Sequence, residues 1–292
     1  MERQEARALN GAFALLPRKR LTKMKIIHIT DAHIVPEGET IYGLDPAARL
    51  AAVIDHISAN HADADLAVIT GDLTDRGDPA SYQRLRSLLE PLPMPVRLMI
   101  GNHDIRAAFT DAFPDEPRDE AGFVQSVMDL PDGAGRLLFL DTNEVGWSGG
   151  RYCDSRLAWL EARLQDAPDR PAFIFMHHPP FPLGVAHFEQ ICLAQPEPFI
   201  AALKGHGGGV PHIFLGHVHI PVSGVSPSGI PFSAGRGCNH QIVLDFAARD
   251  CTWASGAPNY NIIRIGEHGV IVHAFDLIDA ATIGTGAYPP GP

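Results

Sequence analysis

An α/β fold built largely on parallel strands is what this sequence predicts, and three observations predict it. Short apolar runs alternate with stretches of helical periodicity from Lys25 to Leu215, most of those runs stop at a glycine or a polar residue, and beyond Ile220 the chain turns to short β-rich runs between Gly/Pro turns. Regular strand–helix alternation argues for βαβ units. The bulk numbers agree: 292 residues, 45% hydrophobic and 20% charged, form an ordinary globular composition with a substantial core. A formal charge of -11 argues against gripping long nucleic acid by phosphate neutralisation. It leaves room for a small anionic substrate held through bound cations.

Cys153, Cys192, Cys238 and Cys251 are scattered without CxxC spacing, which indicates neither a disulfide framework nor a cysteine zinc site but free thiols in a reducing compartment. No run approaches the roughly 18 apolar residues of a membrane span. The patch Gly11 to Leu16 lies between Glu2 and Glu5 on one side and Pro17-Arg18-Lys19-Arg20 on the other, poor grammar for a leader. A cytoplasmic protein with no membrane partner is expected. Residues 1–23 read as an N-terminal extension, 24–283 as one domain and 284–292 as a frayed Gly/Pro-rich tail. Within the domain, 24–220 carries the polar strand ends and 221–283 reads as the β-rich completion of a second sheet.

Taken in order, Lys25 to Thr30 is a strand that ends in Asp31-Ala32-His33, whose acid and imidazole share a face if the chain stays extended. Asp45-Pro46 opens a helix by the N-cap and first-turn proline rule, with Leu50, Val53, Ile54 and Ile57 inward and His56 and His61 on solvent. Leu66 to Thr70 is a second strand, ending in Gly71-Asp72, and 79–90 a helix facing in through Tyr82, Leu85, Leu88 and Leu89. Val96 to Ile100 runs into Gly101-Asn102-His103-Asp104, where the glycine allows a sharp exit from the sheet. From Arg106 to Gly135 only a short strand near Phe123 to Met128 is legible. Arg136 to Leu140 is a strand, and Asp154 to Leu164 an N-capped helix. Ala172 to Met176 ends in His177-His178-Pro179, and His212 to Leu215 ends in Gly216-His217-Val218-His219.

One Asp or His after a strand is often only a turn or a cap. Five such ends in series, carrying Asp31, His33, Asp72, Asn102, His177, His217 and His219, offer more oxygen and imidazole donors than one metal takes. Two cations about 3.5–4 Å apart, sharing a carboxylate, would use them all. Strand ends are also where open α/β sheets place ligand chemistry.

These five blocks, Asp31-x-His33, Gly71-Asp72, Gly101-Asn102-His103-Asp104, His177-x-Pro179 and Gly216-His217-x-His219, resemble the signature of the calcineurin-like metallophosphoesterases over residues 25 to 220. Residues 43–50 and 180–189 resemble one branch, the class III cyclic-nucleotide and glycerophosphodiester phosphodiesterases. The resemblance implies a four-layer α/β/β/α sandwich of two mixed sheets. It implies Asp31, His33, Asp72 and His219 on a first metal, and Asn102, His177 and His217 with bridging Asp72 on a second, the ions being Mn, Fe or Zn. His103 would contact the phosphate and serve as general acid, with Asp104 orienting its ring. His178, neighbour to His177 in extended chain, should point behind the metals. The implied activity is in-line attack of a metal-bound hydroxide on a small phosphodiester, with no covalent enzyme intermediate.

Two alternatives stay open. Arg76 resembles the phosphate-gripping arginine of protein serine/threonine phosphatases, which would make the substrate a monoester. A non-catalytic metal-binding scaffold is the other, although no block is degenerate. Tyr42, Asn102, His103, Arg76, His187 and Phe188 are the expected substrate contacts. Homo-oligomerisation through Ser223 to Trp253 is expected from the resemblance.

Overall fold

A computed structural model describes residues 24–278, so the predicted extension 1–23, residues 279–283 and the tail 284–292 lie outside the described residues. The first part alternates as predicted: β1 (Met24–Ile29), α1 (Pro46–Asn60), β2 (Leu66–Thr70), α2 (Pro79–Leu89), β3 (Val96–Met99) and α3 (Arg106–Ala112). Next come β4 (Ser126–Asp129), β5 (Arg136–Leu140), β6 (Gly150–Arg151), α4 (Asp154–Gln165), β7 (Ala172–Met176), β8 (Leu193–Ala194), α5 (Glu197–Gly205) and β9 (His212–Leu215). The remainder is β: β10 (Val222–Val225), β11 (Pro231–Ala234), β12 (Gln241–Ile242), β13 (Trp253–Ala254), β14 (Asn259–Gly266) and β15 (Gly269–Asp276).

Two mixed sheets face each other, in the orders β15-β14-β1-β2-β3 and β10-β11-β9-β7-β5-β4. β1, β2 and β3 run parallel, as do β5, β7, β9 and β11. Because side chains alternate along a strand, each strand feeds two layers of core. Ile27, Ile29, Ala67, Ile69 and Leu98 pack under α1 and α2. Leu138, Leu140, Ile174, Met176, Ile213 and Leu215 pack under α4 and α5. Ile26, Val68, Met99, Phe139, Phe173, Phe175 and Phe214 fill the space between the sheets. Helix, sheet, sheet, helix is the four-layer order expected. The N-cap reading also holds, since the Asp45 side chain accepts from the amides of Ala47 and Ala48.

Some expectations fail for identifiable reasons. Of the region 221–283, the described residues do not simply complete the second sheet: β10 and β11 do, but the β14–β15 hairpin crosses to the first sheet and pairs antiparallel with β1. A strand's alternation says which face is apolar, not which open edge it joins. That hairpin covers one flank of α1, so His56 and His61 are half-buried rather than solvated, with His56 Nδ1 2.9 Å from the Tyr260 hydroxyl. The short helix α3 has no side-chain cap, and α4 starts after Cys153, which makes no capping bond, rather than after Asp154.

Candidate metal centre

All five predicted blocks leave the C-terminal ends of parallel strands, β1, β2, β3, β7 and β9, so they converge at one end of the sandwich. The loops are tied across that end: the His33 amide donates to the Asp72 carbonyl at 2.9 Å, the Cys238 amide to the Thr30 carbonyl at 2.9 Å, and the Gly216 amide to the His177 carbonyl at 3.1 Å. The His217 amide donates to the Asp31 carboxylate at 3.1 Å, joining the two sheets. The backbone here is bent, not extended. Asp31, His33, Asp72, His217 and His219 all have positive φ, between 47° and 74°. Non-glycine residues in that region are strained and persist where surroundings over-determine them, commonly at functional sites. Asp31 and His33 therefore do not share a face by the extended-chain alternation expected from the sequence; their side chains meet because both residues are turned by positive φ. Gly101 is required by close approach, since a Cβ there would collide with the Asp72 carboxylate and the His177 ring.

The donor atoms form two adjoining groups. Asp31, His33, Asp72 and His219 place one ligand-type atom each within 4.8 Å of one another, and so do His177, His178 and His217. His219 Nε2 lies 3.3 Å from Asp31 Oδ1 and 3.2 Å from His33 Nε2. On the other side His177 Nε2 lies 3.3 Å from Asp72 Oδ2 and 3.2 Å from Asn102 Oδ1. Asp72 Oδ2 is also 3.7 Å from His33 Nε2, between the two groups.

The protons of these rings show that the set suits cations. His177 Nδ1 is 2.8 Å from the Thr70 carbonyl and His219 Nδ1 is 2.8 Å from the His240 carbonyl. A carbonyl only accepts, so each Nδ1 carries hydrogen and Nε2 is the ring atom turned inward, the one a cation would take in exchange for its proton, the arrangement found behind metal-bound histidines. His217 Nε2 is buried with no hydrogen-bond partner. Such an atom costs free energy unless something is bound to it.

Charge in the cluster is mutually compensated. Burial opposes ionisation of Asp72, but His177, His103 and His33 around it hold its carboxyl well below the usual range. Burial would lower His177, yet the Asp72 and Asp31 carboxylates lift it to about 9. His217 lacks so close a partner and burial pushes it down to about 3.

Other predicted residues fall differently. His103 lies at the mouth; its amide donates to Asp72 Oδ1 at 2.9 Å, and its Nδ1–H donates to the Asp75 carbonyl at 2.8 Å. Asp104 does not orient that ring. It is buried and accepts from the amides of Gly101, Leu73 and Thr74 and from the Thr74 and Tyr82 hydroxyls, pinning the β2 and β3 loops together. Burial and the neighbouring Asp72 raise its carboxyl to about 6, against the pull of those amides. Arg76 turns away to pair with Glu39 at 2.6 Å, rather than with Asp75 or Asp78. His187 and Phe188 are buried and do not rim the site; Phe188 belongs to the core under α4 and α5. His178 packs behind His177, its Nδ1 2.7 Å from the Thr142 hydroxyl, while its ring stays 4.6 Å from that of His217.

Several residues escaped the sequence reading. His240 stacks on His219 at 4.3 Å and lies 5.0 Å from His33, but it follows no strong strand and carries no local signal. Asp75 places a carboxylate oxygen 3.5 Å from His33 Nδ1. Asp141-Thr142-Asn143 is a further polar strand end, after β5, and was legible as such. Asn143 donates to the carbonyls of Gly101 and Asp104.

Comparison with known proteins agrees with this geometry. The family described as calcineurin-like phosphoesterase matches residues 24–221. The chain is 40% identical over 257 residues to a probable cyclic nucleotide phosphodiesterase of Rhodopseudomonas palustris, covering 86% of this chain and 91% of that one. It is 35% identical over 198 residues to a glycerophosphodiester phosphodiesterase of Enterobacter lignolyticus, covering 67% of this chain and 71% of the relative. Among solved structures, a dimetal phosphatase from Danio rerio shares the fold with a TM-score of 0.61 at 15% identity, over 87% of this chain and 99% of that one. The strand-end blocks, the paired donor groups and the matched region coincide, and the chain belongs to the calcineurin-like phosphoesterase family.

Proposed function

We propose that this protein hydrolyses small phosphodiesters at a two-metal centre. The observation that carries the reading is Asp72 Oδ2, which lies between His177 Nε2 at 3.3 Å and His33 Nε2 at 3.7 Å, with a group of donors on either side. Asp31, His33, Asp72 and His219 would hold one cation, and Asp72, Asn102, His177 and His217 the other. Mixed oxygen and nitrogen donors suit Mn, Fe or Zn. Two cations so placed would polarise the phosphoryl oxygens and acidify the attacking water.

The chain's own residues do the rest. His103 is fixed by the Asp75 carbonyl at Nδ1, and although burial works against its charge, Asp72 and Asp75 raise its pKa above the ordinary value. That favours the protonated ring, which delivers its proton to the leaving alkoxide as the ester P–O bond breaks. Asn102 and His103 together contact the phosphoryl group. The names of the relatives, cyclic nucleotide and glycerophosphodiester phosphodiesterases, support diesters as the substrate class. So does Arg76, whose guanidinium is engaged by Glu39 instead of offering a fork to a monoester dianion.

Four free cysteines fit a reducing, cytoplasmic setting, and among the described residues no helix is long and apolar enough to cross a membrane. Exposed Val243, Leu244 and Phe246 support a contact between copies of the chain.

The test is hydrolysis of bis(p-nitrophenyl) phosphate against p-nitrophenyl phosphate with added Mn, before and after chelation, with metal content measured on the same samples. Diester turnover lost on chelation and two metal equivalents are expected. Preference for the monoester would favour the phosphatase alternative, and nil turnover with two metals bound would favour the scaffold. Saturation at a single equivalent would end the two-metal reading.

A further inference from the structure

Beside the metal centre two large aromatic rings are left in solvent. Tyr42 is 59% exposed and Trp253 48% exposed, and they stack on each other with centroids 4.8 Å apart and planes inclined by 24°. They are tied to the site by a continuous series of rings. The Tyr42 ring meets His240 edge-on at 5.0 Å, and His240 stacks on His219 at 4.3 Å.

The platform is built, not incidental. Tyr42 and Gly43 form the tip of a two-residue turn closed by reciprocal bonds of 2.9 Å between Ile41 and Leu44. Both tip residues have positive φ, 52° for Tyr42 and 78° for Gly43. Such a turn favours Asn or Gly at its first position, and a bulky aromatic held there is strained. Trp253 is set opposite Ile242 by the β12–β13 pairing, and β12 begins directly after His240 in the chain. An aromatic residue kept strained and exposed is explained if something stacks on it.

The geometry points to the Tyr42–Trp253 pair as the platform for an aromatic group of the substrate, a nucleobase attached through its sugar to the phosphodiester, so that nucleoside diesters are preferred over glycerol-linked ones. This rests on the diesterase reading. A base presents a π face that extends the stack, while a glycerol-linked diester has none.

The experiment compares Trp253→Ala and Trp253→Phe with the wild-type full chain, loaded with Mn, on 3′,5′-cyclic AMP and on glycerophosphoethanolamine. Stacking predicts that Trp253→Ala lowers the cyclic AMP to glycerophosphoethanolamine ratio of kcat/KM by about tenfold, chiefly through KM, and that Trp253→Phe restores most of it. Equal change on both substrates, or no change, overturns the proposal; equal loss with an altered oligomeric state would assign the pair to a contact between copies. Tryptophan fluorescence separates this result from the diesterase reading. AMP should quench wild type and not Trp253→Phe, with glycerol 3-phosphate quenching neither. Quenching without any hydrolysis would sink the diesterase reading and leave the base platform standing, whereas hydrolysis without selective quenching would do the reverse.

Discussion

Thr70, the last residue of β2, holds two histidines that are equally buried and have opposite characters. Its carbonyl accepts from His177 Nδ1 at 2.8 Å, at the strand ends. Its hydroxyl lies 2.8 Å from His28 Nε2, in the layer between the sheets. Burial pulls both rings toward neutrality. At His177 the Asp72 and Asp31 carboxylates reverse the effect, to about 9, whereas at His28 burial wins over a weaker pull from Asp31 and leaves it at about 4. His212 follows His28, lowered to about 4 by burial alone, with a serine hydroxyl 2.9 Å away. Burial by itself keeps a histidine neutral, and adjacent carboxylates let it hold a proton. His217 at the strand ends is neutral like His28 and His212, but its Nε2 has no hydrogen-bond partner, whereas the two core rings each lie against a hydroxyl.

That contrast can be broken at several points. Asp72→Ala should have the largest effect: removing the shared carboxylate costs both metal positions and several kcal/mol of charge stabilisation, about 10³-fold in diester turnover. It should also bring His177 in the metal-free protein down toward the behaviour of His28, as read by ring proton shifts. A His177 that stays protonated above neutrality in that variant would refute the electrostatic account.

His103→Gln should lower turnover about a hundredfold while metal content is kept. Because the His103 pKa lies above its ordinary value, the acid-competent form is lost as pH rises through it, so the alkaline limb of the wild-type rate profile should vanish in the variant. Asn143→Ala leaves the Gly101 and Asp104 carbonyls without their donor. A loss of about tenfold in kcat with little change in KM is expected, as for other partners that only orient ligands; a pure KM effect would assign Asn143 to substrate instead.

The smallest effect belongs to the lower histidine and is read as stability. Its folded pKa, about 4, lies below the ordinary 6.5, so between those values the unfolded chain binds a proton that the folded chain refuses. Stability attributable to His28 is present above pH 6.5 and is lost as pH falls, by about 1.4 kcal/mol per pH unit. His28→Leu should flatten that acid limb in urea titrations and leave diester turnover at neutral pH intact. An unchanged slope would mean that His28 is already protonated in the fold.

The five polar strand ends were readable because each is local: an apolar run, a glycine and a metal-type donor within a few residues, a grammar that holds whatever packs against it. Helices α1 and α2 were readable for the same reason, from Asp45, Pro46 and the spacing of Leu50, Val53, Ile54 and Ile57. The orienting role expected of Asp104 failed because adjacency in sequence is not adjacency in bonding; its carboxylate is taken up by donors from residues 73, 74, 82 and 101. His240, Asp75 and Asn143 gain their positions from contacts with residues far along the chain or across the loops.

By itself the sequence determined which side chains end the strands and which faces of those strands are apolar, since alternation and turn chemistry are properties of neighbouring residues. Only the tertiary structure decided that β14 closes on β1, that Arg76 faces Glu39, and that Thr70 serves one histidine above and another below. Those outcomes depend on which edge, charge or hydroxyl is left without a partner once the layers have packed, and that is a property of the whole fold.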